Sequence, residues 1–327
     1  MLLNIKKPLS LFSGRFFLHI YNTETGEVRT HEQENLVTDW GLEAMATTGT
    51  HYISQCRVGS GSAEPAYSDT TLVNEIARVG PTGKWPFFHS NSSGAVQAVY
   101  DTSDINNIHV YADLPFVFPK GAAAGNISEL GMGNGNGLFS RTLIRDVDGN
   151  PTSITVLDIE VLTVTYRHRH HVPNESWVQE NVEIGGNKPW TGKVTCSPIR
   201  VGGSRNHWDT QSQYGHLIQA GELRNVANGL TAHEQDTPYP ITQFIVGSGG
   251  GGTQNGTYIG NLVAEHTAFL GINQGNFPLG IGTITAQLGG LSYQFQFEPR
   301  IPKTNLDELS LVFRHTWGRY EEEEETP

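Results

Sequence analysis

With 327 residues, 37% of them hydrophobic, the chain is long enough for two domains that each bury a core, and this composition excludes wholesale disorder. Asp and Glu number 33 against 21 Lys and Arg, for a formal charge of -12; a surface this acidic repels phosphate and excludes nucleic acid as the main partner. The sequence contains no run of about 18 apolar residues, so no membrane-spanning segment is expected, and two cysteines, Cys56 and Cys196, are too few for a disulfide framework and are expected as buried free thiols.

The 38 glycines and 16 prolines, with abundant Asn, Ser and Thr, mark a chain of many tight turns and hence an all-β fold. Residues 16–21 and 28–30 flank a Gly-containing loop, Asn22-Thr23-Glu24-Thr25-Gly26, which predicts an N-terminal hairpin. In the segment from Asn35 to Ala46, Thr38 or Asp39 can cap a short helix that places Leu42, Met45 and Ala46 on one face. Strands follow over 108–118, 138–145 and 153–166, the last two joined around Asp146-Val147-Asp148-Gly149-Asn150-Pro151. In the final strand Val156, Leu162, Val164 and Tyr166 share one face, while Thr155, Leu157, Ile159 and Val161 share the other. Residues 172–200, with Pro173, Gly185-Gly186, Pro189 and Gly192, read as an irregular linker. The expected domains are therefore 1–171, holding the hairpin, the helix and a first β-sandwich, and 201–320, a second sandwich. Residues 321–327 form an acidic tail around Glu321 to Glu325.

Three elements recur in the same order. Arg57-Val58-Gly59-Ser60-Gly61 with Leu72-Val73-Asn74-Glu75 is echoed by Ile245-Val246-Gly247-Ser248-Gly249 with Leu262-Val263-Ala264-Glu265. An aromatic strand over 111–119 has its counterpart at 293–299, and 163–168 has its counterpart at 309–315. The reading is two tandem, duplicated β-sandwich domains with one short N-terminal helix.

The first half also resembles a known class. Its order is a hairpin, then Asn35-Leu36-Val37-Thr38-Asp39-Trp40-Gly41-Leu42, then Val58-Gly59-Ser60-Gly61 with Pro65, Asp69, Thr71-Leu72 and Glu75. Ile127-Ser128-Glu129-Leu130-Gly131 and Leu138-Phe139-Ser140-Arg141 complete it. This pattern is similar to that of structural proteins of tailed-bacteriophage tails, a class that includes fibre, baseplate and collar components. The match spans roughly 10–170, with a degraded echo in 240–320 that lacks the final elements. The resemblance implies a virion component synthesised in the bacterial cytoplasm, assembling by contact with copies of itself (a trimer or ring) and with other tail proteins. It implies no catalytic residues and no cofactor. The alternatives are a receptor- or glycan-binding module of the tail, and a head decoration or collar protein.

Several clusters bear on chemistry. His168 and His170, within Arg167-His168-Arg169-His170-His171, point to one face of a strand and could bind a metal near a symmetry axis; the plainer reading is a strand end at a subunit contact. Asp146 to Asn150 opens like a calcium loop but has Thr155 where the loop's Glu belongs, so a hairpin turn explains it. Gly247 to Gly252 has no Lys-Ser/Thr and is no phosphate loop. Trp177, Trp190, Trp208 and Tyr214 lie in the least regular part and are candidates for glycan stacking or an interface. A free strand face bearing Val156, Leu162, Val164 and Tyr166 would favour a homo-oligomer.

Overall fold

The computed structural model describes residues 2–3, 10–47, 52–82, 99–101, 103, 109–171, 177–184, 189–198, 222–227, 257–288 and 291–321. The fold is all-β with a single helix among the described residues, and that helix is too short to cross a membrane. The chain divides into two compact units. The first holds Leu11–His171 and Gly318–Pro327; the second holds Met1–Ser10, Val172–Asp209 and His216–Trp317. The 171/172 division falls at the expected domain boundary, but each terminal segment groups with the unit of the opposite half.

In chain order the elements are β1 (Leu2–Leu3), β2 (Ser10–Asn22), β3 (Val28–Glu34), β4 (Leu36–Val37), α1 (Asp39–Thr47), β5 (Gln55–Gly59), β6 (Glu75–Val79) and β7 (Val99–Asp101). They continue with β8 (His109–Phe118), β9 (Gly125–Ile127), β10 (Glu129–Gly133), β11 (Leu138–Leu143), β12 (Ile154–Val156) and β13 (Glu160–His171). In the first unit one sheet runs β3-β2-β13-β8-β7 and another runs β4-β11-β10-β5-β6, with β9 and β12 as a small separate pair. The β2–β3 hairpin is the one expected around Asn22 to Gly26, registered from Arg15↔Glu34 to Tyr21↔Val28.

The two large sheets pack face to face. Phe139 of β11 meets Tyr166 of β13 edge-on at 6.5 Å, and Phe16 of β2 lies 4.9 Å from the same tyrosine. On β13 the inward residues are Glu160, Leu162, Val164, Tyr166, His168 and His170, all buried, whereas Val161, Thr163, Thr165, Arg167 and Arg169 are half-buried on the outer face. This corrects the expectation of a free apolar face: Val156, Leu162, Val164 and Tyr166 are core residues of this chain and offer no surface to a second copy.

Helix α1 forms where the sequence places it. Thr38 is the cap: its Oγ1 accepts the Gly41 N–H at 2.9 Å and donates to the Leu138 carbonyl, tying the helix start to β11. Leu42 and Met45 are the buried face. Gly41 is needed because a Cβ there would collide with the backbone of Phe139.

The second unit adds β14 (Trp177–Ile184), β15 (Trp190–Pro198), β16 (Glu222–Ala227), β17 (Thr257–Gly260), β18 (Val263–Leu270), β19 (Ile281–Leu288), β20 (Leu291–Ile301) and β21 (Leu309–Arg319). One sheet runs β14-β15-β20-β19-β16; β17, β18 and β21 pair in order, with β1 parallel to β21. Phe295 of β20 packs on Phe313 of β21 at 4.9 Å. The linker expected over 172–200 is corrected: β14 and β15 pair antiparallel there, from Trp177↔Cys196 to Ile184↔Trp190. Trp190, Val194 and Cys196 alternate along β15 and are buried, a period-2 signal hidden in sequence by Gly192 and the flanking prolines. Cys56 and Cys196 are both free and buried.

Duplication is not shown. The repeat equates β8 with β20 and β13 with β21, yet β8 and β13 are hydrogen-bonded neighbours while β20 pairs with β15 and β19 and β21 with β18. The counterpart segment at 245–249 lies outside the described residues. Gly turns and aromatic strands recur in any sandwich, so short motifs of those residues repeat without common topology.

Gly41→Ala is expected to destabilise the first unit by about 1–3 kcal/mol through overpacking, although alanine is the better helix former by about 1 kcal/mol. Urea denaturation of the two proteins side by side checks this.

Candidate functional site

Several of the residues that carry the resemblance meet at one place. Glu129, on β10, is fully buried, and so is Arg141, on β11. Gly131↔Arg141 is a paired position of the β10–β11 hairpin, so the two charged side chains lie on neighbouring strands close to one another. Arg141 Nε and Nη2 donate to Glu129 Oε2 at 3.1 and 3.0 Å. The remaining capacity of the carboxylate is filled by backbone: Gly61 N–H and Asn74 N–H donate to Oε1 at 2.9 and 2.8 Å, and Val73 N–H to Oε2 at 3.1 Å. Arg141 Nη1 reaches Asp69 Oδ2 at 2.7 Å, and Nη2 reaches the Ala63 carbonyl at 2.8 Å.

Residues 60–74 are thus held along their length from inside. Asp69 Oδ2 also accepts the Ala66 N–H, and Ser128 Oγ donates to the Gly61 carbonyl. Gly61 has no room for a side chain, since its Cβ would overlap the Glu129 carboxylate. Val58-Gly59-Ser60-Gly61, Asp69, Glu129 and Arg141 are one charged clamp on a loop that has few apolar anchors of its own, Leu72 being the buried one. In the sequence these residues stand as separate motifs, and nothing in their spacing pairs Glu129 with Arg141. The available signal was an acid and a base, Glu129 and Arg141, in consecutive strands whose other residues are apolar or small.

The histidine cluster forms a second concentration of polar groups. His168 and His170 are buried in the core, stacked on Phe12 at 5.6 and 4.5 Å. Tyr52 and Phe139 close on His168 from the opposing side. The metal expectation is therefore corrected: both rings are buried and enclosed by this chain's own aromatic residues. Among the described residues no group of three or more His, Cys, Asp or Glu side chains is arranged to hold a metal ion. Arg167 and Arg169, permanently charged, take the outer face; Arg167 pairs with Asp113 through two 2.7 Å bonds and lies over the Tyr111 ring at 4.0 Å. Burial pushes His168 down to about 3 and His170 well below the usual histidine value, so both are neutral at pH 7.

His171 ends the strand differently. Its ring turns to the outer face, where Nε2 is 2.7 Å from Ser13 Oγ and the Tyr320 ring stacks on it at 3.6 Å. Residues 318–321 run alongside: Tyr320 N–H donates to the Phe12 carbonyl at 2.9 Å, and Arg319 binds the Val37 carbonyl and Asp39 while covering Tyr67 at 4.0 Å. Tyr67 in turn donates to Glu321 at 2.8 Å. Ser13, Asn35, Tyr67, Arg319, Tyr320 and Glu321 line a pocket of about 240 Å³ there.

The aromatic candidates separate. Trp190 is a core residue, with Nε1 donating to the Pro299 carbonyl at 2.9 Å and its ring edge-on to Phe297, so the glycan or interface expectation is corrected for it. Trp177 lies on β14, paired with Cys196. Trp208 and Tyr214 lie outside the described residues, as does 247–252. Asp146 makes an Asx turn, accepting from Asp148 N–H and Asn150 N–H, as expected of a hairpin tip. Comparison with protein-family models, characterised proteins and solved structures returns no match to this chain.

Two outcomes follow from these geometries. Glu129→Ala takes the buried partner from Arg141, leaving it only Asp69, and frees three backbone N–H groups of the loop; it is expected to cost about 3–5 kcal/mol in denaturant titration, with loss of amide protection at Val73 and Asn74. Because His168 and His170 are held below their unfolded value of about 6.5, the stability they allow is complete above that pH and falls as acid protonates the unfolded chain. Each is expected to cost about 1.4 kcal/mol at pH 5.5 relative to pH 7.5. Urea midpoints at the two pH values test it, and His168→Leu should remove one proton's worth of the slope.

Proposed function

We propose that this chain is a structural subunit of a tailed-bacteriophage tail, placed at the tail tip, the baseplate or a fibre attachment. It works through protein–protein contacts with copies of itself and with other tail proteins, and its role uses no catalytic step. One observation carries this reading: residues from several of the motifs that resemble the tail class meet in a single buried clamp. Gly61, Asp69, Glu129 and Arg141 come from separate motifs of the sequence and are joined by hydrogen bonds in the fold. The clamp does structural work, since it spends two buried charges on fixing a loop. Such a loop is a rigid feature for a neighbour to dock on.

The glycan-binding alternative is weakened by the burial of Trp190, so the assembly reading is the one taken forward. Its test is immuno-electron microscopy of purified particles with antibody against the chain. Label on tails is the expected result. Label confined to heads would transfer the protein to decoration or collar, and unlabelled particles with the chain absent from their protein content would sink the proposal.

A further inference from the structure

We propose that Lys303 and Asn276 of the second unit react with each other, forming an isopeptide bond that ties the β18–β19 connection to the β20–β21 connection. The two connections lie side by side. Gly280 allows the approach, since a Cβ there would meet the Ile301 carbonyl, next to the paired position Ile281↔Ile301. Lys303, two residues beyond Ile301, is only 3% exposed. Its Nζ donates to the Asn276 side-chain oxygen at 2.9 Å and to the Gly271 carbonyl at 2.8 Å. The other end of the Asn276 amide is fixed as well, with Nδ2 donating to the Ile272 carbonyl at 2.6 Å. Gln274 holds the same loop by accepting the Gly271 N–H at 2.9 Å.

A lysine is almost never buried unless a carboxylate pairs with it. Both acceptors of Lys303 are uncharged. Burial lowers its pKa, against the charges of Asp307 and Glu308, which favour the ammonium form. More of this lysine is therefore neutral amine than of an exposed one, and the neutral amine is a nucleophile. The position suits attack on the amide. The Asn276 Cγ lies one C=O bond of about 1.2 Å beyond the oxygen, so it is at most about 4 Å from Nζ. A small side-chain adjustment brings the two atoms to the ~3–3.5 Å from which such attacks begin.

The step balances without an oxidant or co-reactant. The Lys303 ammonium first gives one proton to water, and the amine attacks Cγ of Asn276. A bond forms between Nζ and Cγ, the Cγ–Nδ2 bond breaks, and Nδ2 leaves as ammonia with a second proton taken from Nζ. Ammonia then takes up the first proton in water and departs as ammonium, so the chain loses one positive charge. The product closes residues 276–303 into a ring that persists when the second unit unfolds, which restricts the unfolded chain as a disulfide would.

Mass spectrometry of the full chain, denatured after incubation in mildly alkaline buffer, provides the test. The wild type should weigh less than its sequence by one ammonia, and its tryptic digest should contain one branched product joining the peptides of Asn276 and Lys303. Lys303→Met and Asn276→Ala should each show the full mass of their own sequence. A wild-type chain at its full mass overturns the proposal. So does an ammonia loss that persists in Lys303→Met, which would place the loss at an Asn-Gly pair such as Asn136-Gly137 closing on its own backbone. If neither variant folds, the wild-type digest decides alone: separate, unbranched peptides for Asn276 and Lys303 reject the bond. Each of these results leaves the tail reading untouched, since that reading does not use the second unit's loops.

Discussion

The first unit is organised around a carboxylate that no water reaches. Burying Glu129 and Arg141 together costs several kcal/mol per ion in lost hydration, and their attraction offsets that only when every remaining lone pair and N–H is filled. Here they are filled by the backbone of residues 61, 73 and 74 on the acid and by Asp69 and Ala63 on the base. The loop and the ion pair therefore stabilise each other. Without the loop the ions are unsatisfied, and without the ions a polar loop of more than a dozen residues has little to hold it. The glycines at 59 and 61 belong to the same constraint, because the carboxylate occupies the space their side chains would need.

The histidine end of β13 obeys a related rule. A strand must send alternate residues inward, and between Arg167, Arg169 and the histidines only the histidines can shed their charge. His168 and His170 go in as neutral rings among Phe12, Tyr52 and Phe139, where they pack as flat aromatic groups. Arg167 and Arg169 go out, to Asp113 and Glu34. The core so formed is well packed near neutral pH and carries an acid sensitivity that a core of phenylalanines would lack.

Much of the candidate chemistry was visible in sequence as residue types but not as roles. The run from Arg167 to His171 stood out, yet a pair of exposed imidazoles and a pair of core imidazoles have the same spacing. The fixed charge of the intervening arginines was the discriminating signal. Trp190 stood out for lying among Gly and Pro, and that same irregular composition concealed a strand whose inward positions are Trp190, Val194 and Cys196. The partnership of Tyr320 with His171 joins residues about 150 positions apart, and neither side chain's type announces it.

By itself the sequence determined what depends on neighbours along the chain: an all-β fold from turn chemistry and alternation, the helix at 39–47 from its Thr38 cap and apolar spacing, and the β2–β3 hairpin. Tertiary structure alone decided which face of β13 is the inner one, that 177–198 is a hairpin of the second unit, and which unit each terminal segment joins. It also decided that Glu129 and Arg141 form one buried pair. The reason is physical. Period and capping are local properties, fixed by bond geometry within a few residues. The burial of a charge or a ring is favourable only in the presence of particular partners, and those are brought by the fold from distant parts of the chain.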